Sequence, residues 1–436
     1  MSIRRLYSAL WFLSLPLVVM RLWWKGRRQP AYRRHLAERF GRYAQPRTDR
    51  CVWIHAVSVG ETRAAQPLVR ALRGHDPALH ILFTHMTPTG RETAQALYAD
   101  ADDRIHSVYL PYDLGYLHAR FLRHFRPLAG IVMETEVWPN LMARADRDRC
   151  PMLLVNGRLS QRSFARYLRF GALAREAFGG FAVIGAQSPA DAQRFTGLGA
   201  RRVEVTGNIK FDNHPADAQV ALGRQFRARI GDRPVVLAAS TREGEEADLL
   251  DVAGPLIASG ALLAIVPRHP QRFDAVAQLA EARGYRVGRR SRGDGPDAGD
   301  QVWLGDSMGE MTAYYTLADV VLMGGTWRPL GGQNFIECCA VGTPVVLGPS
   351  TFNFAQAAEQ ALEAGAAVQC ADLNGAVDRA MALLNDPSGL NTMGTAALAF
   401  AQAHGGATER TLALITPWLS GAAPASPVAS ADSKTA

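Results

Sequence analysis

Short runs of continuously apolar residues alternate with stretches of helical character along most of this 436-residue chain, and that alternation constrains its fold more than any other feature. A strand with one wet face alternates apolar and polar residues. A strand buried on both faces does not, and such strands separated by helices belong to a mostly parallel sheet covered on both sides. In the first half the candidate strands are 52–56, 81–84, 108–110, 130–133, 152–155, 182–186 and 203–206. The stretch 211–223 breaks the rhythm with Asp, Asn, His and Pro in quick succession and reads as a linker. A second series follows at 235–239, 262–266, 285–287, 302–304, 320–323, 343–347 and 366–370. The length exceeds what one ordinary core holds. The expected fold is therefore α/β, two doubly wound Rossmann-like domains facing a cleft, with ligands at the carboxyl ends of the strands. Neither G-x-G-x-x-G after a strand nor G-x-x-x-x-G-K-[ST] is present, which disfavours dinucleotide oxidoreductases and P-loop NTPases.

The first residues stand apart. Residues 6–20 are uncharged and rich in Leu, Val, Trp and Phe. Arg4 and Arg5 precede them, and Arg21, Lys25, Arg27 and Arg28 follow, with Trp23 and Trp24 among them. As a helix this run covers about 22 Å at ~1.5 Å per residue, short of the roughly 30 Å hydrocarbon core; counting on to Trp24 brings it close to a span. Positive charge on both flanks favours neither orientation, and no small-residue cleavage site follows. Residues 1–28 are expected to be an uncleaved anchor, lying in or barely crossing the bilayer, with its basic residues and tryptophans at anionic headgroups. The alternative is a helix packed on the protein itself. The net charge of +8 suggests acidic partners, but no basic run is interleaved with aromatics, so nucleic acid is disfavoured. Five cysteines without C-x-x-C spacing argue against a disulfide framework or a structural zinc site. Cys338 and Cys339 read as small core residues. The tail 421–436, mostly Ala, Ser and Pro, is expected to be disordered.

Chemistry concentrates where strands end. His55-Ala-Val-Ser-Val-Gly-Glu61 follows the first strand. Ser58-x-x-Glu61 fits a capping box, in which the Glu only satisfies a backbone N–H. Pro67, however, would lie inside a helix capped at Ser58, at a cost of ~3 kcal/mol. A helix beginning later, with Pro67 in its first turn, leaves Glu61 in the loop and free for chemistry. Glu134, in Met-Glu-Thr-Glu-Val-Trp-Pro-Asn, directly follows another apolar strand, and Glu136 is equally a solvated loop acid. Lys210, in Gly-Asn-Ile-Lys-Phe-Asp, can neutralise phosphate as a point charge or simply face solvent. In the second half, Ser240 and Thr241 open a polar turn into a helix whose first-turn acids suit the helix dipole. Pro267-Arg268-His269-Pro270 presents a rigid basic pair suited to phosphate or carboxylate. Gly305-Asp-Ser-Met-Gly309-Glu310-Met311 offers backbone N–H groups. Gly331-Gly-Gln-Asn334-Phe335-Ile336-Glu337 allows close backbone approach and a helix end aimed at phosphate, while Asn334-x-x-Glu337 is also cap-like.

Taken in order, HAVSVGE, METEVWPN, GNIKFD, PRHPQRF, GDSMGEM, GGQNFIE and GPSTFNF resemble the 3-deoxy-D-manno-octulosonic acid (Kdo) transferases of Gram-negative bacteria, from about residue 6 to 419. The resemblance implies a two-domain GT-B glycosyltransferase: an anchor at 1–28, an acceptor-binding domain at 29–212, a CMP-Kdo-binding domain at 213–420 and a tail at 421–436. It implies CMP-Kdo as donor and the lipid A precursor, lipid IVA, as acceptor, in lipopolysaccharide synthesis at the cytoplasmic side of the cell inner membrane. By motif, Glu61 matches the family's catalytic base, and Glu134 and Lys210 match residues assigned to transition-state stabilisation. Arg268 and His269, Gly309, Glu310 and Met311, and Asn334, Phe335, Ile336 and Glu337 match CMP-binding segments. Gln333 departs from the pattern, where a histidine is expected. No Asp/His cluster demands a metal, and no cofactor is expected. Two other readings remain: another nucleotide-sugar GT-B transferase or epimerase, and a non-catalytic, membrane-anchored glycolipid-binding protein.

Overall fold

The structure, a computed structural model, describes residues 3–99, 104–213 and 215–419, so the tail 421–436 lies outside the described residues. By its internal contacts the chain divides into two units, one running to Asp212 and resumed from Gly405, the other Asn213–His404.

The first unit is built on seven parallel strands: β1 (Cys51–His55), β2 (His80–His85), β3 (Ile105–Tyr109), β4 (Ala129–Met133), β5 (Met152–Gly157), β6 (Val183–Ala186) and β7 (Val203–Val205). Their order is β3-β2-β1-β4-β5-β6-β7. Alternate residues serve opposite faces, as the pleat requires. Trp53 packs with Leu82, Phe121, Leu154 and Phe178 on one side. Val52 and Ile54 pack with Leu68, Leu72, Phe83 and Ile131 on the other. Each such side chain contributes about 1.5–3 kcal/mol by leaving water, which is why strands buried on both faces carry no polar alternation. Gly130 is required by this packing, because a Cβ there would lie 2.7 Å from the Trp53 ring and 2.6 Å from the Met152 sulfur.

The chain leaves β1 toward β3, then returns to β4 on the other side of β1. That reversal opens a crevice at the carboxyl ends of β1 and β4, where ligands bind in such sheets.

The second unit repeats the plan with β8 (Val235–Thr241), β9 (Leu262–Pro267), β10 (Val287–Arg289), β11 (Val302–Leu304), β12 (Val320–Met323), β13 (Val345–Leu347) and β14 (Ala367–Gln369). The order is β10-β11-β9-β8-β12-β13-β14, again parallel, with its reversal between β8 and β12. Strand β10 begins two residues later than the sequence suggests. Gly284 takes a left-handed φ of +83° and the Tyr285 N–H still closes onto the Ala280 carbonyl, so the helix cap extends through 285.

The terminal helix Ala407–Leu419 belongs to the first unit, where Leu414, Ile415 and Leu419 join the face built on Val52 and Ile54. The second unit thus ends at His404 by its contacts, not at 420. Asp212 makes the tie: its carboxylate accepts from the Gly406 N–H at 2.6 Å and from the Thr408 N–H.

The N-terminal helix, Ile3–Arg28, is long and apolar enough to cross a membrane. One stripe of it docks on the first unit. Tyr7 donates to Asp113 at 2.9 Å, Ser8 donates to Asn140 at 2.9 Å, and Trp11, Leu15, Val18 and Leu22 pack around Tyr112, Leu114 and Leu117. The opposite face exposes Leu10, Phe12, Leu13, Leu17 and Met20, with Trp23 and Trp24 following. The two sequence readings are therefore compatible, because one face packs on the protein and the other stays apolar and open.

Candidate active site

In the first unit, Glu61, Glu134 and Lys210 all follow carboxyl ends of strands, and Glu61 and Glu134 flank the β1/β4 reversal. The segment after β1 is pinned from β2. The His85 imidazole Nδ1 lies 2.8 Å from the Ala56 carbonyl, and the Thr87 hydroxyl donates to the Val57 carbonyl at 3.0 Å. Below them Trp53 Nε1 donates to the Thr84 hydroxyl at 2.7 Å, which lies 2.8 Å from His55 Nδ1. Burial pushes His55 down to about 3, so its ring is neutral scaffold at physiological pH.

Glu61 is not in a loop, as Pro67 suggested. It lies in the first turn of a separate short helix, Val59–Ala64, and Pro67 opens the next one, Gln66–His75. Proline divides the helix instead of delaying it, because its missing N–H is harmless in a first turn. The capping geometry is present as well: Ser58 Oγ accepts from the Glu61 N–H at 3.3 Å and donates to Glu61 Oε1 at 3.0 Å. Glu61 Oε2 accepts from the Val57 N–H at 2.7 Å, not from Ser58 N–H as a capping box has it. Cap and base are compatible roles, since a carboxylate has about four lone-pair sites and two are used here. Burial, then the charges of Glu134 and Glu136, push the Glu61 carboxyl up to about 7, against the pull of the Val57 and Ser58 hydrogen bonds.

Glu134 holds a left-handed φ of 59°, uncommon for a residue with a Cβ, and its N–H donates to the Val155 carbonyl. Its carboxylate meets Lys210 Nζ at 2.9 Å, both side chains about a quarter exposed or less. Glu136 is partly buried, and burial raises its carboxyl too. The neighbouring strand end, Asn156, also has a left-handed φ, 54°; its Oδ1 accepts from the Ile209 N–H at 3.1 Å. Nothing in the sequence singled out Asn156, although an Asn-Gly pair ending an apolar run is a signal for unusual backbone.

In the second unit, the segments expected to bind nucleotide follow β9, β11 and β12 on the carboxyl edge of the sheet. Arg268 follows β9 and its N–H donates to the Thr241 carbonyl. His269 is exposed, with its imidazole lowered by partial desolvation and by Arg242, Arg268 and Arg272. Gly309 has a φ of +83° with open space where a Cβ would be. Glu310 is engaged by Arg290 through two bonds of 2.9 and 3.0 Å and by the Ser307 hydroxyl at 2.5 Å, ahead of Met311, which opens a helix. Asn334 donates to Glu337 at 2.9 Å. Phe335 and Ile336 are 1% exposed, so only their backbone can meet a ligand. The helix they open, Ile336–Cys339, is a single turn, too short for the dipole effect expected of it.

Glu245 has a different role from a dipole-matched surface acid. It is buried, and its carboxylate accepts from the N–H groups of Gly325 at 2.8 Å, Arg242 at 2.9 Å and Trp327 at 3.1 Å. It ties the turn after β8 to the turn after β12, across the reversal. Among the described residues no group of three or more His, Cys, Asp or Glu is arranged to hold a metal ion.

Solved structures share this architecture. A glycosyltransferase from Rickettsia africae aligns with a TM-score of 0.57 at 12% identity, covering 87% of this chain and 100% of that one. A putative UDP-N-acetylglucosamine 2-epimerase from Listeria monocytogenes aligns with 0.54 at 15% identity, covering 85% and 96%. Two parallel, doubly wound seven-stranded units are the architecture of the GT-B class. Residues 34–213 match the family model described as 3-deoxy-D-manno-octulosonic-acid transferase (kdotransferase). The 3-deoxy-D-manno-octulosonic acid transferase of Bordetella pertussis is 44% identical over 416 residues, 93% of this chain and 96% of that protein. That of Haemophilus influenzae is 36% identical over 424 residues, 95% and 99%. The chain belongs to the 3-deoxy-D-manno-octulosonic acid transferase family, and it is a glycosyltransferase.

Proposed function

We propose that this transferase takes Kdo from CMP-Kdo and delivers it to lipid IVA, the lipid A precursor, with inversion and with Glu61 as general base. The observation that carries the reading is Glu61 itself: a carboxylate at the β1/β4 reversal, held by Val57 and Ser58, with its pKa pushed up to about 7. A base of that strength takes a hydroxyl proton as bonding begins and is still ionised near neutral pH. The acceptor oxygen gives its proton to Glu61 and forms the bond to the anomeric carbon. The bond from that carbon to the phosphate oxygen breaks, and CMP leaves with the electron pair. The departing phosphate needs positive charge more than a proton. Lys210 and Arg268 are each proposed as a cation that can supply it. Glu134 is proposed to keep Lys210 oriented through their 2.9 Å contact. Gly309, Glu310 and Met311, and Asn334 to Glu337, are proposed to hold the CMP moiety, largely by backbone groups. The expected result in a thermal-shift experiment is that CMP raises Tm and UDP at equal concentration raises it less. A larger shift with UDP would favour another nucleotide-sugar enzyme, and no shift with either would favour a non-catalytic glycolipid binder.

The proposed location is the cytoplasmic side of the inner membrane. Support comes from the outward apolar face of the N-terminal helix, whose partner would be the lipid interface. A cavity of about 1380 Å³ in the first unit adds to it, lined by Arg4, Arg5, Arg144, Arg147, Arg149 and Arg175 among others, a setting suited to anionic headgroups. The double variant Leu13→Glu/Leu17→Glu alters only exposed positions of the helix. It is expected to move the protein from the membrane fraction to the soluble fraction with Tm unchanged. Unaltered membrane partition would remove the helix from the anchoring role.

A further inference from the structure

Strand β5 ends on Asn156, which is fully buried and tolerates two local costs at once. Its φ of 54° is left-handed, and its Nδ2 has no partner among the described residues. A fold that accepts both at one position is keeping the residue for something else. The remaining half of the amide indicates what. Asn156 Oδ1 accepts from the Ile209 N–H at 3.1 Å, and Ile209 opens the short 3-10 turn Ile209–Asp212. That turn carries Lys210. Its far end is fastened by Asp212 to the N–H groups of Gly406 and Thr408, and Lys210 N–H itself donates to Asn208 Oδ1 at 3.1 Å. Asn156 is thus the fastening at the near end of the turn. The β4–β5 register pairs Met133 with Val155, so Asn156 is also the strand neighbour of Glu134, the partner of Lys210.

We infer that Asn156 is a positioning residue for the transfer reaction: it holds the Lys210 turn so that the ammonium meets Glu134, and through that pair it sets the charge beside Glu61. The inference rests on the reading of Glu61 as general base. The groups facing Glu61 are the Val57 N–H and Ser58 hydroxyl from its own segment, and Glu134 and Glu136 from the segment after β4. Lys210, from the 3-10 turn, acts on it by neutralising Glu134. When Lys210 drifts, Glu134 presents its full charge, the ionised form of Glu61 is disfavoured, and the base is protonated at higher pH.

The test compares kcat and kcat/KM against pH for full-length wild type, Asn156→Gly, Lys210→Met and the double variant, using CMP-Kdo and lipid IVA in detergent. Glycine keeps the left-handed φ without strain and removes only the amide. The expected result for Asn156→Gly is a tenfold or greater loss of kcat, little change in KM, and an acid limb moved to higher pH. In the Lys210→Met background the same change adds nothing, because the two act in series. An unmoved acid limb, or effects that multiply in the double variant, would overturn the inference. If the glycine variant does not fold, Asn156→Asp is read instead, since it keeps the acceptor oxygen. Read at a pH above its acid limb, where the added carboxylate no longer acts through protonation of Glu61, it is expected to retain most of the turnover, and a loss there as large as that of Lys210→Met would overturn the inference. Glu61→Gln separates the two levels. If the acid limb persists without the Glu61 carboxylate, the general-base reading fails. If the limb vanishes there but does not move in Asn156→Gly, only the role of Asn156 fails.

Discussion

Replacing Glu61 with Gln is expected to lower kcat by about 10²–10⁴-fold, the range a general base supplies, while leaving the fold intact. Gln keeps the size and one acceptor oxygen, so the Val57 N–H retains a partner, but it cannot take a proton. In the wild type, the rate should rise with pH through about 7, where the Glu61 carboxyl ionises. Stability should run the other way. The folded-state pKa of Glu61 lies above its unfolded value, so between about 4.5 and about 7 the native chain holds a proton that the unfolded chain releases. That contribution is complete at the low end of the window and is lost as pH rises through it. Gln, neutral at every pH, escapes the loss, so the variant's Tm at pH 8 should equal or exceed that of the wild type. Loss of transfer with an undiminished Tm is the signature of a catalytic carboxylate. Normal transfer from CMP-Kdo by Glu61→Gln would sink the assignment, and a large drop in Tm would return Glu61 to a purely structural cap.

Glu245→Ala is expected to destabilise the second unit by about 3 kcal/mol or more, since each buried N–H deprived of its acceptor costs ~1–3 kcal/mol and Gly325, Arg242 and Trp327 lose theirs together. Chemical denaturation of the full chain should record the fall, and hydrogen exchange should localise it to the turns after β8 and β12. Glu245→Gln, with one acceptor oxygen in place of two, should fall between. Glu243, two residues away with its side chain 90% exposed, is the control: Glu243→Ala should change stability by no more than about 0.5 kcal/mol. Equal effects at the two positions would mean that Glu245 is a surface acid after all. Because the Gly324-Gly325 turn precedes the segment proposed to hold the nucleotide, the Glu245 variants should also raise KM for the donor.

These two glutamates mark where sequence reading is strong and where it stops. Glu61 stood out as a candidate because a buried strand led to a small-residue loop and one acid, and Pro67 signalled a break in the following helix. The nature of that break was not legible, because a proline in a first turn fits a late start and a divided helix equally well. By sequence, Glu245 is one of the first-turn acids that suit a helix dipole. Its carboxylate is instead committed to N–H groups 80 and 82 residues later in the chain, and no local pattern encodes such a contact. Asn156 escaped notice for the same reason, since its partner lies 53 residues on. Phe335 and Ile336 were singled out by motif, but burial restricts them to backbone contacts.

The sequence by itself determined the two parallel sheets, their doubly wound character and the edge on which the candidate residues lie. Continuous apolar runs are stable only when both faces are covered, and the chain must cross over between parallel strands. Tertiary structure alone decided which acids face solvent, which carry a raised pKa and which close loops, because those properties depend on desolvation and on charges brought near by folding. It also decided that the helix from Ala407 joins the first unit, where Asp212 caps its first turn and its apolar face completes the layer over Val52 and Ile54.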